Sequence, residues 1–323
     1  MMKFITLSLF NIFSALFNPI SCQPGYWKTS SIKSPEIFAE GIISAGDYDS
    51  HAAFTPGGDT VFFLRSAPDF STWTICVSYF ENGKWTKPEV APFSGKYRDA
   101  DPFVSKDGSE VYFISNRPVN EKDTAKPDED IWKVVKTSNG WSKPIHLDAP
   151  INSMMDEYYP TMTDDGTLYF ASERKGGKGF SDIYFAKSEN GKYLKAVNIG
   201  DSINSEYNEY EPFISPDEKY MIFMATRPND LRNADLFVSY NNNGKWTKAE
   251  KLPSPFNSNA IEWSPKVTRD GKYFFFGSTR NKLKEAISKP ETAEQLNRRI
   301  RSSGNGLGDI YQVDFSALHL QIH

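Results

Sequence analysis

Apolar and polar residues alternate with a period of two along most of this chain, and turn signals of the Asp-Gly, Asn-Gly and Pro type interrupt the alternation at short intervals. That rhythm predicts short antiparallel strands. Laid in register, one pattern is written five times at intervals of about fifty residues, opening at Asp49, Asp99, Glu157, Glu209 and Glu262. Each copy reads as four strands. Strand a starts at the acidic residue and ends in a turn such as Lys106-Asp107-Gly108, Asp164-Asp165-Gly166 or Arg269-Asp270-Gly271. Strand b is an aromatic run beginning near Val111, Leu168, Met221 or Phe274, and strand c begins at Asp130, Asp182, Asp235 or Asp309. Strands c and d are joined by Asn82-Gly83, Asn139-Gly140, Asn190-Gly191 and Asn243-Gly244, a dipeptide suited to the tight turn of a hairpin. The aromatic after each of these turns, Trp85, Trp141, Tyr193 or Trp246, reads as packing between neighbouring sheets, with a sugar-stacking platform as the alternative.

The fifth copy stops after strand c, at Asp309-Ile310-Tyr311-Gln312-Val313. Its missing strand is supplied from the other end of the chain, because Ser34-Pro35-Glu36-Ile37-Phe38-Ala39 resembles Thr86-Lys87-Pro88-Glu89-Val90-Ala91 of the first copy. Stacked units that cannot bury their own apolar faces close into a ring and so remove exposed sheet edges. The expected fold is all-β: a five-bladed β-propeller of four-stranded antiparallel blades over residues 34–316, closed by an N-terminal strand, with one helical insertion in the last blade and a tail of 317–323. The run Glu157-Tyr158-Tyr159-Pro160, Asp164-Asp165-Gly166, Leu168-Tyr169-Phe170, Arg174, Asp182-Ile183-Tyr184 resembles the WD-like (PD40-type) repeat of TolB-type propellers, and the resemblance extends from about residue 35 to 315. It implies an extracytoplasmic protein. The OmpA-like peptidoglycan-binding domain sometimes attached to such propellers is not recognisable here, and a shared fold does not fix a function.

The N-terminus carries a different signal. Lys3 precedes an apolar run from Phe4 to Phe17 and a border of Pro19-Ile20-Ser21 before Cys22. The run is too short to span a bilayer and reads as a secretory signal peptide over 1–21, followed by a linker over 22–33. Cys22 stands at the lipidated position of a bacterial lipoprotein signal, although Pro19 departs from its usual pattern, so lipid anchoring and simple cleavage are both open. The other cysteine, Cys76, reads as a buried free thiol, and no disulfide framework or cysteine metal site can be built. A net charge of −4 and 15% aromatic residues exclude nucleic acid as the expected partner and leave ample material for a β-rich core.

In an antiparallel blade, the start of strand a, the end of strand b and the start of strand c share one face. Asp49, Asp99, Glu157, Glu209 and Glu262 therefore form a ring with Arg117, Arg174, Arg227 and Arg280, which close strand b, and with the aspartates that open strand c. One reading is a ring of carboxylates able to hold a cation or a basic peptide; the other is that each arginine forks between its two carboxylates and pins the strands. Blade one breaks the pattern. Ala67 replaces the arginine, Thr74 replaces the strand-c aspartate and Arg65 is shifted by two positions, which predicts an unpaired Asp49 close to His51, with Asp101 at the matching position of blade two. A histidine–carboxylate pair suits metal binding or acid–base work.

The b–c loops on this face are unequal: 118–129 in blade two and 281–308 in blade five, where Pro290 to Arg301 has helical composition after an N-cap at Ser288. Its excess of Lys and Arg suggests either a basic lid over the ring or a solvated surface helix. No nucleophile elbow, zinc motif or phosphate loop is present, and Ser105-Lys106-Asp107-Gly108 lacks the spacing and trailing Trp of a sialidase Asp-box. The sequence calls for no cofactor and leaves the metal question unassigned. The expected function is non-catalytic binding of a protein or other cell-envelope ligand through the b–c loop face, with a membrane contact only through Cys22; the alternatives are a carbohydrate-active enzyme using channel carboxylates and a purely structural envelope component.

Overall fold

The computed structural model describes residues 31–226 and 234–322, so Cys22 and Arg227 lie outside the described residues. Five antiparallel sheets follow one another along the chain, each with strands in the order a, b, c, d. Blade one has Tyr48–Phe54, Thr60–Ser66, Trp73–Glu81 and Glu89–Val90. Blade two has Asp99–Val104, Glu110–Ser115, Asp130–Thr137 and Ile145–His146. Blade three has Glu157–Met162, Leu168–Ser172, Asp182–Ala186 and Val197–Asn198. Blade four has Glu209–Ile214, Tyr220–Ala225, Asp235–Asn242 and Glu250–Lys251. Blade five has Glu262–Val267, Tyr273–Ser278 and Asp309–Asp314, completed by Glu36–Ile37 from the N-terminal segment. Strand a of every blade packs against strand a of both neighbours, so the five inner strands surround a central axis. This is the five-bladed propeller that the repeats predict.

Closure is made by backbone and by aromatic packing together. Glu36 and Ile37 pair with Gln312 and Tyr311, Phe38 donates its N–H to Ile310 at 2.8 Å, and Asp314 donates to the carbonyl of Ile32 at 2.9 Å. Phe38 is 2% exposed and meets Trp85, Phe54 and Phe275 edge-on at 5.5, 5.6 and 5.2 Å, joining blades five and one. The other outer aromatics do the same at the next seams: Trp141 lies 6.0 Å from Phe62 of blade one, while Tyr193 and Trp246 pack on the cores of blades two and three. They are inter-sheet packing residues, as the first of the two sequence readings has it.

Local chemistry explains the turns. Asn82-Gly83, Asn190-Gly191 and Asn243-Gly244 all have positive φ at both positions, the geometry that matches a hairpin's twist. The strand that returns from each of these turns is only two residues long, and strand d proper begins after a break such as Thr86-Lys87-Pro88, where the proline has no N–H to continue the ladder. In blade five the helix is shorter than expected, Ala293–Ile300, and its N-cap is Thr292 rather than Ser288. Thr292 and Gln295 form a reciprocal capping box, a stronger start signal than an isolated serine. Cys76 is a buried free thiol, with burial first among the causes that push its pKa up to about 11. Among the described residues no helix is long and apolar enough to cross a membrane.

Because Phe38 joins the first and last blades, Phe38→Ala should destabilise the fold by about 3–5 kcal/mol, the usual cost of emptying a large aromatic site. Urea unfolding measures this, and deletion of Ser31 to Ile43 should have the larger effect; an unchanged midpoint in either variant would contradict closure by this segment.

Candidate functional site at the channel mouth

The five acids at the start of strand a are all fully buried. Each sits where the connection from the preceding blade arrives. Glu157 accepts from the Ser153 N–H at 2.9 Å, the Ser153 hydroxyl at 2.6 Å, the Ser172 hydroxyl at 2.9 Å and Arg174 at 3.0 Å. Glu262 repeats the arrangement with Ser258, Ser278 and Arg280, and Asp99 is held by Ser94 and by Arg117 at 2.6 Å. Glu209 accepts from Ser205 through both its N–H and its hydroxyl. Each described arginine also donates to a carbonyl of the incoming connection, Phe93 for Arg117, Ile151 for Arg174 and Pro255 for Arg280. The acids are thus blade-to-blade clamps.

Two expectations change here. The described arginines, Arg117, Arg174 and Arg280, do not fork to the strand-c aspartates of their blades, which find other partners: His146 and Lys126 for Asp130, the N–H groups of Lys178 and Gly179 for Asp182 and the Gly304 N–H for Asp309, while Asp235 pairs with Lys251. Nor is Asp49 unpaired. Arg65 stands directly opposite it in register, where other blades carry Ser or Ala, and donates to its two oxygens at 2.7 and 3.1 Å. The shift of two positions is harmless because an arginine side chain spans it. An Asn-Ser pair ahead of the acid, Asn152-Ser153, Asn204-Ser205 and Asn257-Ser258, is a further signal in the sequence: the asparagine bonds both backbone groups of Ile131, Ile183 or Leu236 in the previous blade's strand c.

What reaches the channel is the second residue after each acid. His51, Asp101, Tyr159, Glu211 and Ser264 all have positive φ, between 48 and 59°, and each lies within a register shift between strands a and b. Proline follows in four of the five, at Pro102, Pro160, Pro212 and Pro265. Lacking an N–H, it suits the skip in the ladder, although Ala52 follows His51 at the same bulge in blade one, and bulges re-aim side chains. Non-glycine residues held at such φ values store strain that the surrounding structure must offset, and they concentrate at functional sites.

The bulge residues form one network. His51 Nε2 lies 3.1 Å from Asp101 and 3.0 Å from Glu211, and its Nδ1 is 2.6 Å from the Ser50 hydroxyl. Asp101 also accepts from the Tyr159 N–H at 2.9 Å, Glu211 accepts from the Ser264 N–H, and the Tyr159 hydroxyl donates to the Pro265 carbonyl at 2.7 Å. Burial pulls the imidazole pKa down, but Asp101 and Glu211 outweigh it and hold His51 above its ordinary value. Burial raises Asp101 to about 6 against the pull of His51. Beneath this layer Lys266, fully enclosed, is depressed by burial to about 7.

Above the network is a cavity of about 220 Å³, walled by Phe70, Trp73, Tyr158, Tyr210 and Met224 with His51, Asp101 and Glu211 on its floor. Of the residues singled out in the sequence, His51 and Asp101 line this cavity. Asp49, Asp99, Glu157, Glu209 and Glu262 with Arg117, Arg174 and Arg280 form the clamps. The blade-five helix contributes nothing to the cavity wall, so it is no lid over the floor; its Arg298 and Arg299 pair with Glu294 and Glu291 of the same insertion. Glu211, Tyr210, Trp73 and Phe70 were not anticipated. The Pro that follows four of the five bulge residues could have marked Glu211, whereas nothing in the repeat alignment marks the blade-one loop that carries Phe70. Among the described residues no group of three or more His, Cys, Asp or Glu is arranged to hold a metal ion.

No family model matches the chain, and no curated protein matches it. Solved structures similar to it include TolB from Acinetobacter baumannii, 15% identical, with a TM-score of 0.45 over 82% of this chain and 54% of that one. An alpha-L-arabinofuranosidase from Lactobacillus brevis is 12% identical, with a TM-score of 0.47 over 83% and 91%. The periplasmic gluconolactonase of Pseudomonas aeruginosa is 12% identical, with a TM-score of 0.43 over 72% and 66%. The chain spans about half the length of the TolB chain it matches.

Two outcomes follow from the clamps and the buried lysine. Glu157→Gln and Glu262→Gln offer one acceptor oxygen where the carboxylate had two, so each should destabilise the fold by about 1–3 kcal/mol, and Asp49→Asn should do likewise because Arg65 holds both oxygens. Chemical denaturation tests this. For Lys266, a folded pKa near 7 against an ordinary 10.5 means that the unfolded chain binds more protons between those values, so this group makes stability rise with pH there. Comparing wild type with Lys266→Met between about 7 and 9, below the ordinary thiol pKa of 9.0, isolates the effect: the variant should be the more stable protein at the lower end and lose that advantage upward.

Proposed function

We propose that this chain is a non-catalytic, extracytoplasmic propeller of the TolB-type WD-like repeat class that binds a cationic group of a protein or other cell-envelope ligand in the aromatic cavity at its channel mouth. The observation that carries the reading is the pairing of aromatic walls, Phe70, Trp73, Tyr158 and Tyr210, with the two carboxylates on the floor. Aromatic faces and desolvated carboxylates both favour a cation. The surroundings add to this. Burial raises the Tyr210 hydroxyl to about 12, helped by Glu173, Asp156 and Glu211, which places further carboxylates beside the same wall. Burial and Asp156 also raise Glu173 to about 7, so an arriving cation favours its ionisation. Against catalysis, Asp101 and Glu211 are tied into one hydrogen-bonded unit with His51 and with backbone N–H groups instead of standing as two separately placed carboxyl groups. The extracytoplasmic location is supported by the signal-like segment before Cys22 and its lipidation-type cysteine.

Titration calorimetry with short lysine- or arginine-containing peptides, against norleucine counterparts, tests the reading. The basic peptides should bind, and Trp73→Ala or Tyr210→Ala should weaken them about tenfold, roughly one desolvated cation–π contact. Affinity should rise as the pH climbs through about 6, where Asp101 ionises. Equal binding of the norleucine peptides removes the cationic reading. Turnover of aryl glycosides that is lost in Glu211→Gln establishes the carbohydrate-active alternative instead.

A further inference from the structure

The channel has a second cavity, at its other end. Among the a–b turns a cavity of about 410 Å³ reaches inward to Lys266, within the range of about 300–1,000 Å³ usual for small-molecule sites. Its inner walls are apolar, with Phe54, Phe103, Met162, Phe213 and Val267 among them. Lys266 is 6% exposed, and its Nζ has no hydrogen-bond partner. The amine lies 4.4 Å from the Tyr159 ring centroid and 5.4 Å from that of Phe103, faces that attract a cation but accept no conventional hydrogen bond. The neighbouring groups do not bond it: Asp101 and Glu211 act on the amine through their charge alone while their hydrogen bonds go to His51 and to backbone N–H groups, and the Tyr159 hydroxyl is bonded to Pro265. At the rim, Lys106 and Arg269 are both bonded to Asp164. One buried donor therefore lies without an acceptor at the inner, apolar end of a cavity whose lining also carries Asp107, Glu110, Asp164 and Asp165, and native proteins rarely leave such a donor unpaired.

We propose that this lower cavity binds a small carboxylate with an apolar body, its carboxylate on Lys266 Nζ and its body between Phe54, Phe103 and Phe213. The desolvation of the amine is already incurred when the protein folds, so the incoming carboxylate adds only its own, and the charge-assisted bond supplies the acceptor that the fold omits. The apolar body gains by burial against the aromatic walls. The chemistry differs from that of the upper cavity, where the floor is acidic.

Octanoate and octan-1-ol serve as probes, measured by titration calorimetry on the full chain. Octanoate should bind wild type at least about tenfold more tightly than the alcohol, a difference near 1.4 kcal/mol. Lys266→Met should erase that preference, and Met162→Trp, which fills the chamber and keeps the amine, should abolish binding of both. At mildly alkaline pH octanoate binding should be accompanied by proton uptake, read from its dependence on buffer ionisation enthalpy, as the amine becomes ammonium. Equal affinity for acid and alcohol in wild type, octanoate binding undiminished in Lys266→Met, or no binding at millimolar octanoate each overturns the proposal. Octanoate binding that falls with Trp73→Ala and survives Met162→Trp places the probe in the upper cavity and also overturns it. If Lys266→Met does not fold, Met162→Trp and the proton uptake decide.

Discussion

A carboxylate buried at the seam between two blades is the interaction on which the rest of this structure depends. An ionised group taken out of water must be neutralised and hydrogen-bonded on every side. Glu157 meets that demand with donors from three places: the connection that arrives from blade two, strand b of its own blade and the arginine beyond it. Satisfying the acid therefore fixes the entry of the chain, the register of the a–b pair and the angle between neighbouring sheets together. The same solution recurs at each described seam with small changes of partner, which is why Arg65 can replace the usual arginine in blade one by standing opposite Asp49 instead of beyond it.

The channel chemistry follows from this clamp by two residues. Once the acid is locked, the proline that follows in four blades cannot extend the ladder, and the residue between them turns inward at positive φ. Five such residues converge, and because the repeat does not prescribe their identity, this layer is free to vary: His51, Asp101, Tyr159, Glu211 and Ser264 are five different side chains on one backbone geometry. The propeller thus separates a uniform load-carrying ring from a variable inner layer. The inner layer also divides the channel, with the acidic, aromatic-walled cavity on one side and the Lys266 chamber on the other.

This division reassigns the roles of charged residues. The fully buried ring acids are stability elements, and their arginines are shared between a carboxylate and the carbonyls of the incoming connection. His51 and Asp101 belong with Glu211, a residue of blade four, two blades on from Asp101 and three from His51 along the chain, that meets them only across the axis. The long insertion of blade five, the most conspicuous irregularity in the chain, instead ties down the ring closure: Ser303 donates to Glu40 and Asn305 to the Gly46 carbonyl, both in the segment between the closing strand and blade one.

The sequence by itself determined the number of blades, the strands within them, the Asn-Gly hairpins and the completion of blade five by residues near Glu36, because these rest on a local periodicity written five times and on an Asn-Gly turn written four times. It also carried the clamp acids and most of their arginines, since a repeated pair at a fixed spacing is visible without coordinates. Only the tertiary structure decided which charges face the channel. Inward or outward orientation depends on a one-residue bulge, and a shift of one residue sends a side chain to the opposite face of a strand. Phe70, Trp73 and Glu211 come from blades one and four, and Lys266 meets Phe103 and Tyr159 from blades two and three. The repeat gives the strand-a positions of Glu211, Tyr159, Phe103 and Lys266 but not which of these side chains meet. They are brought together by the closure of the ring, which sets long-range distances that the order of residues along the chain does not encode one position at a time.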